Sequence, residues 1–350
     1  MTAGADPAWD RRFLVMLGAV LVLRLAYAAV FPLDLAPDES YYWDWGRRPD
    51  WGYFSKPPMV GWLMGLAGWI GNDSFFVLKA VPALFTTGAL AWVFLLGRAL
   101  YGSRAGFWSA LLLLATPANA ALSIFFTIDP PLLFFWSASL GCAWRWRATG
   151  FRSVGWAVAW CVCLGLGSLT KQIHLLFPVL FVVYLAVQGG GDGGPVPWGR
   201  VLRWVGASLL FLLPPLGWNW RHEWITFRHT ADELERRSFD LGRSLRFVGE
   251  FVGGQAGLGG GISWVLMVGA LVAAVAAWRR LDARGRYLVI FSLPGLLAFL
   301  GLSVFQRVEQ NWPLVFYTSA AVLAGGALSG AGLGGAWAGW RPLARGGVAL

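Results

Sequence analysis

The chain of 350 residues is strongly apolar: 57% of its residues are hydrophobic, 13% are charged, and its mean hydropathy is +0.58. This composition excludes an ordinary soluble domain and predicts an all-α polytopic integral membrane protein. The formal net charge of +10 does not indicate nucleic-acid binding, because the arginines fall in short segments between apolar runs rather than on one soluble face. We expect one transmembrane domain over residues 1–350, with no soluble C-terminal domain.

Apolar runs that are long enough, or nearly long enough, to cross a bilayer recur along the whole chain. They predict ten spans, at residues 13–31, 76–97, 105–125, 131–146, 154–170, 172–187, 201–219, 261–278, 287–305 and 313–331. The Gly/Ala-rich stretch 332–350 is a weaker eleventh candidate, because glycine disfavours helix interiors. The first run lacks a small-residue cleavage site, so we expect a membrane anchor rather than a removed signal peptide.

The arginines predict the orientation of these spans, since positive charge next to a span is retained in the cytoplasm. Arginine lies in alternate polar segments, around residues 11–12, 98–104, 145–152, 200–203, 279–286 and 341–345. The complementary segments then face the periplasm or cell exterior of a bacterial inner membrane, and the largest are a first loop, 32–75, and a second loop, 220–260. These two loops carry most of the acidic residues as well as basic ones, which is typical of a polar site.

The first loop contains two adjacent carboxylates, Asp38 and Glu39, and a lysine, Lys56. Ionisable groups at the border of a bilayer are costly and therefore mark candidate functional sites. The same loop is rich in tryptophan and tyrosine, which favour membrane interfaces, and the apolar stretch 58–70 is too short to span. We expect interfacial helices in this loop and a catalytic role for it.

Two segments of the first loop, DESYYW at 38–43 and DWGYFSKPP at 50–58, resemble the protein mannosyltransferase and aminoarabinose (lipid A) transferase superfamily, in its bacterial branch. Further similar segments follow in order: TIDPPL at 127–132, LTKQ at 169–172, WNW at 218–220, FRHT at 227–230 and EQNWP at 309–313. The resemblance implies a GT-C-like transmembrane helix bundle. It also implies transfer of a sugar from a polyprenyl-phosphate donor to a lipid, glycan or protein acceptor, with inversion at the anomeric carbon.

Such a transfer requires a base for the acceptor hydroxyl and cations for the departing phosphate. Asp38 is the candidate base, and the resemblance implies the family's catalytic aspartate at this position; a helix cap after Pro37 is the alternative. Lys56 is the candidate cation for the donor phosphate, with a lysine that reaches lipid headgroups as the alternative. For Glu39, three roles stay open: orienting Asp38, contacting the acceptor, or pairing with an arginine.

A second group of candidates lies outside the first loop. Asp129 is the third candidate catalytic carboxylate; its apolar sequence neighbours predict a partner from another loop, and a helix cap is the alternative. Lys171 either reaches the donor phosphate or pairs with Asp129. The remaining assignments are Arg228 to the donor phosphate and Tyr53, His229, Glu309 and Asn311 to substrate binding. For Arg228 and His229, the alternative is a solvated, mixed-charge amphipathic or lid-like helix in the second loop.

The histidines and cysteines do not form a convincing metal motif. We therefore expect no cofactor and no metal site, although Asp38, Glu39 and Asp129 together offer ligands for a divalent ion. The expected partners are the lipid-linked donor, the acceptor and membrane lipids, without nucleic acid. A transporter or flippase for a lipid-linked or anionic substrate is the main alternative function, but it predicts internal repeats, and none is evident.

Overall fold

The computed structural model describes residues 4–30, 34–190, 194–233 and 240–330. Within these ranges the chain forms helices and no strand, which confirms the predicted all-α class. The α-helices are α1 (Pro7–Val30), α2 (Pro37–Gly46), α3 (Met59–Gly71), α4 (Phe75–Tyr101), α5 (Ser103–Leu114), α6 (Pro117–Leu122), α7 (Asp129–Ala148), α8 (Val154–Thr170), α9 (Leu176–Gln188), α10 (Trp198–Leu209), α11 (Leu213–Arg221), α12 (Ile225–Glu233), α13 (Leu241–Leu258), α14 (Ile262–Ala276), α15 (Ala283–Ile290), α16 (Leu293–Ser303) and α17 (Tyr317–Leu328). The eleventh candidate span, 332–350, lies outside the described residues.

The predicted spans coincide with helical segments, but these segments differ in length. Four are long and apolar enough to cross a membrane unaided: Pro7–Val30, Phe75–Tyr101, Trp198–Arg221 and Ala283–Ser303. The pair α13 and α14 is a fifth candidate, bent by 112° at its break. Several of the other predicted spans are apolar helices of 10–17 residues, so their count as spans stays a prediction.

The predicted span 105–125 is divided between two helices. α5 ends at Leu114, and Thr116 caps α6 by accepting a hydrogen bond from the backbone N–H of Asn119 at 3.1 Å. Pro117 then occupies the first turn of α6, where its missing N–H is not needed. The break turns the chain toward residues 123–128, which lead directly into α7 and place Asp129 at its first position.

The centre of the bundle is a hydrophobic core to which α4, α5, α7, α8, α9 and α17 contribute. Large aromatic side chains fill it: Trp136, Trp146, Trp160, Tyr184 and Phe316 are less than 2% exposed. Because protein interiors are close-packed, this core holds the ends of its helices in fixed relative positions. The loops that follow those ends therefore rest on a rigid support.

The first helix, α1, joins this bundle through polar contacts as well as apolar ones. The Arg24 guanidinium donates to the hydroxyls of Thr86 and Thr87 on α4 and to the side-chain oxygen of Asn119 on α6. Near the other end of α1, Asp10 and Arg98 form an ion pair of 3.0 Å. Much of the remaining α1 surface is exposed and apolar, as expected for a helix that faces lipid.

Candidate active site

The first loop folds into α2, an extended segment and α3. The N-cap of α2 is Ala36, whose backbone N–H donates to the Glu39 carboxylate at 2.9 Å. Glu39 therefore makes the capping interaction of α2. The sequence had left open a capping role for Asp38, and the structure does not show one. Asp38 lies in the first turn with its side chain exposed, where the helix dipole favours a negative charge.

The Glu39 side chain points into the protein and is completely buried. Its two oxygens lie 2.7 and 2.6 Å from Nζ of Lys79 on α4, which is itself 2% exposed. One of these oxygens also accepts a hydrogen bond of 2.7 Å from the backbone N–H of Phe126. Of the three roles left open by the sequence, pairing is observed, but with a lysine instead of an arginine, and contact with the acceptor does not fit this burial.

Lys79 had no sequence-based role, because it lies inside the predicted span 76–97. The signal that could have identified it is its rarity: the chain has three lysines, whereas arginine supplies the other basic residues. A lysine near the end of an apolar helix requires a partner, and a buried carboxylate in the preceding loop is the kind of partner to look for.

A cavity of ≈ 680 Å³, here called the polar cavity, lies between the first loop and three other segments. It is lined by Asp38, Tyr41 and Tyr42 of α2, by Ser55 and Lys56, by residues 121, 122, 125 and 127–129, and by Lys171, His229, Glu309, Asn311 and Trp312. The structure thus brings together most of the predicted site residues, from positions separated by more than 270 residues in the sequence: Asp38, Lys56, Asp129, Lys171, His229, Glu309 and Asn311.

Asp129 forms one wall of the polar cavity and is held by partners from two other loops. Its Oδ1 lies 3.0 Å from Nζ of Lys171, and its Oδ2 accepts a hydrogen bond of 2.6 Å from the Asn311 side-chain amide. The side chains of the ion pair are 7% and 13% exposed. The expected partner for Asp129 is therefore present, and of the two interpretations of Lys171 the structure displays the pairing.

Asp38 and Lys56 line the same cavity. Asp38 is exposed, and its carboxylate makes no hydrogen bond or ion pair with the residues that the structure describes. Lys56 is partly buried and follows Ser55, which is 7% exposed, so the lysine projects from a packed segment. The cavity therefore contains an accessible carboxylate and two ammonium groups, Lys56 and Lys171.

Tyr53 and Arg228 were predicted to contact substrate and donor phosphate, but the structure places them outside the polar cavity. They line a second cavity of ≈ 590 Å³ together with Trp45, Trp218 and other residues. The Tyr53 hydroxyl contacts the backbone oxygen of Trp45 at 3.2 Å, and burial raises the pKa of this phenol above its ordinary value of 10.0. Arg228 is exposed and pairs with Glu223 at 3.4 Å.

The second loop and α11, which leads into it, pack directly against the first loop. The Thr226 hydroxyl donates to the backbone oxygen of Tyr53 at 2.6 Å, and the Trp218 indole donates to the Asp50 carboxylate at 2.8 Å. The predicted amphipathic character of this loop agrees with α12 and α13, whereas residues 234–239 lie outside the described part. On α12, His229 lines the polar cavity. Its ring lies 4.8 Å from that of Phe54.

The three carboxylates that could have shared a divalent ion are not arranged as a ligand set. Glu39 is directed toward Lys79, while Asp129 is paired with Lys171. In the described ranges of the chain, no group of three or more histidine, cysteine, aspartate and glutamate side chains is close enough to hold a metal ion.

The helix bundle has a GT-C-like membrane fold. The fold matches the crystal structure of ArnT from Cupriavidus metallidurans bound to undecaprenyl phosphate, with a TM-score of 0.69 and 20% sequence identity over 93% of this chain and 61% of that chain. At this identity the likeness establishes the fold alone. It confirms the predicted GT-C-like architecture.

Sequence comparisons identify the relatives more closely. A family model described as dolichyl-phosphate-mannose-protein mannosyltransferase matches residues 55–218. The chain is 30% identical to the lipid A galacturonosyltransferase RgtD of Rhizobium johnstonii, over 89% of this chain and 64% of that protein. It is 25% identical to undecaprenyl phosphate-alpha-4-amino-4-deoxy-L-arabinose arabinosyl transferase 1 of Pseudomonas fluorescens, over 81% of this chain and 55% of that protein.

These comparisons agree with the resemblance seen in the sequence: the chain is similar to polyprenyl-phosphate-sugar transferases of the GT-C superfamily. The chain spans less than two thirds of the length of RgtD and of ArnT. Both sequence relatives are named as sugar transferases, which agrees with the predicted enzyme class.

Proposed function

We propose that this protein is a membrane glycosyltransferase that moves a sugar from a polyprenyl-phosphate donor to an acceptor hydroxyl in the polar cavity. The observation that carries the proposal is the accessible Asp38 carboxylate in one cavity with the Lys56 and Lys171 ammonium groups. A base and cations for phosphate are the two requirements of this chemistry. The GT-C fold and the named activities of the relatives support the same reaction class.

Asp38 acts as the general base in this mechanism. It accepts the proton of the acceptor hydroxyl as the hydroxyl oxygen attacks the anomeric carbon. The bond between that carbon and the phosphate oxygen breaks with both electrons leaving on the phosphate, and one displacement of this kind inverts the anomeric configuration. The exposure of Asp38 supports this role, because a carboxylate that makes no hydrogen bond or ion pair with the described residues is open to a substrate hydroxyl.

Lys56 neutralises the charge that develops on the departing polyprenyl phosphate. An ammonium group placed where negative charge accumulates stabilises the transition state more than the ground state. Lys171 lines the same cavity and is paired with Asp129 at 3.0 Å. We assign Asp129, Asn311 and Lys171 to the cavity wall that shapes the substrate site, with His229 and Glu309 on its rim. This mechanism includes no direct contact of Arg228 with the donor and none of Tyr53 with the substrate.

Two further features belong to the proposal. The polar cavity faces the periplasm or cell exterior, since the arginine distribution assigns its loops to that side. The acceptor is a glycolipid of the lipid A type; the named lipid A activity of RgtD supports this choice over a protein acceptor. The transfer proceeds without a divalent ion, because Lys56 and Lys171 supply positive charge at the cavity.

The decisive assay is transfer of labelled sugar from a polyprenyl-phosphate donor to lipid A by membranes that contain the full chain. Asp38→Asn is expected to lower kcat by about 100- to 10,000-fold, as for loss of a general base. Lys56→Met is expected to lower it by about 100-fold or more. Asp44→Asn, another exposed carboxylate on α2 that does not line the polar cavity, is the matched control and should retain wild-type transfer.

The same assay distinguishes the alternatives. Full activity of both Asp38→Asn and Lys56→Met would contradict the site assignment. Movement of an intact lipid-linked substrate across the bilayer without sugar transfer would identify a flippase instead. Loss of transfer in the presence of a chelator, with recovery on addition of a divalent ion, would show that the reaction is metal-dependent.

A further inference from the structure

The buried Glu39 carboxylate joins three separate segments of the protein. It accepts from the backbone N–H of Ala36 at the start of α2, from the backbone N–H of Phe126, and from the Lys79 ammonium of α4. These three donors come from the first loop, from the segment before α7, and from a long membrane-spanning helix. Glu39 is therefore the point where these segments are fixed to each other.

Both carboxylates of the polar cavity lie next to this junction. Asp38 precedes Glu39 directly in the chain, and Asp129 follows Phe126 by three residues. The residues on either side of Phe126, Phe125 and Thr127, line the polar cavity themselves. Through its hydrogen bonds, Glu39 thus links the backbone next to Asp38 to the backbone three residues before Asp129.

Burial makes this junction stiff and also makes it dependent on both charges. Glu39 is 0% and Lys79 is 2% exposed, so neither group has water as an alternative partner. A buried carboxylate that loses its cation is strongly destabilised, whereas removal of both charges together is often tolerated. Well-packed apolar side chains stabilise a fold as well as a buried ion pair does. Stability of the fold alone therefore does not require an ion pair at this position.

We propose that Lys79 and Glu39 form a positioning pair for the transfer reaction: Lys79 fixes the Glu39 carboxylate, and Glu39 fixes Asp38 relative to Asp129 through the N–H groups of Ala36 and Phe126. Neither residue touches the substrate. The proposal rests on the function proposed above and adds Lys79, a residue of a transmembrane helix, to the groups that determine the turnover rate.

The test uses the full chain with three variants: Lys79→Met, Glu39→Gln, and the double variant Glu39→Gln/Lys79→Met, in which no buried charge is left unpaired. The double variant is expected to be produced and to unfold like wild type, while its kcat is about 100-fold lower, since a displacement of about 1 Å has this effect. Its KM values for donor and acceptor should stay within about threefold of wild type, because no substrate contact is removed.

The matched control is Asp10→Asn/Arg98→Met, which removes an ion pair of 3.0 Å near the opposite end of the same helix, α4. This control should keep the wild-type kcat. Wild-type kcat in the well-folded double variant would overturn the proposal, because the pair would then serve stability alone. A change confined to KM would also overturn it, by indicating contact with substrate. Absence of transfer by the wild-type protein itself would refute the proposed function, which is a distinguishable result.

Discussion

The ion pair between Lys171 and Asp129 offers a quantitative test of how the polar cavity is built. Lys171→Met removes the ammonium group and keeps a side chain of similar length. Asp129 then retains one side-chain partner, the Asn311 amide at 2.6 Å. Because Asp129 is 7% exposed, water replaces the lost cation only in part.

The size of the effect follows from the 3.0 Å distance and the partial burial of the pair. At an effective dielectric constant of about 20, two unit charges at this separation attract by about 5.5 kcal/mol. Desolvation offsets part of this attraction, and breaking a fully buried pair costs about 3–5 kcal/mol. Since the pair borders an open cavity, we expect Lys171→Met to cost about 2 kcal/mol.

A double-mutant cycle measures this value. Wild type, Lys171→Met, Asp129→Asn and the double variant are purified in detergent, and their unfolding free energies and kcat values are compared. Asparagine needs no counter-ion, so the double variant should recover most of the stability lost by Lys171→Met, giving a coupling energy of about 2 kcal/mol. A coupling energy below about 0.5 kcal/mol would refute the reasoning, because sites without shared contacts are additive to that extent.

Two further predictions concern the first loop. Gly65→Ala introduces a Cβ 2.6 Å from the backbone oxygen of Gly46, so α2 and α3 must separate; overpacking outweighs the helix-propensity gain, and thermal unfolding should show a net loss of about 1 kcal/mol. Gly18→Ala, with no atom within 4 Å, is the control, and equal stability of the two variants would contradict this packing. For Tyr53, the raised pKa means that folding favours the neutral phenol; its contribution is complete below pH 10.0 and is lost as the pH rises through the higher folded pKa. The stability difference between wild type and Tyr53→Phe should therefore shrink in alkaline titrations, and a difference that stays constant to high pH would contradict it.

The sequence grouped four residues of the polar cavity through the membrane side predicted for their loops. Asp38, Lys56, Asp129 and Lys171 each interrupt or border an apolar run, and the arginine pattern placed all of them on one side. Helices of a bundle converge there, so residues far apart in the chain become neighbours. The observed cavity contains all four.

Side-chain directions could not be predicted in the same way. Glu39 and Asp38 are adjacent on α2, yet one is buried and the other exposed, because successive residues of a helix point about 100° apart. Which of the two faced the protein depended on Lys79, a residue 40 positions away in a predicted span. Arg228 and His229 line different cavities for the same reason, because they occupy consecutive positions of α12.

The contact of Arg24 with α4 and α6 has a consequence for the biogenesis of the protein. An arginine within an apolar helix costs about 2.5–3.5 kcal/mol to insert at the centre of a membrane. Its partners Thr86, Thr87 and Asn119 are synthesised 62–95 residues later. During synthesis, α1 is therefore complete before the hydrogen-bond partners of Arg24 exist, and the guanidinium reaches these partners only once α4 and α6 have been made.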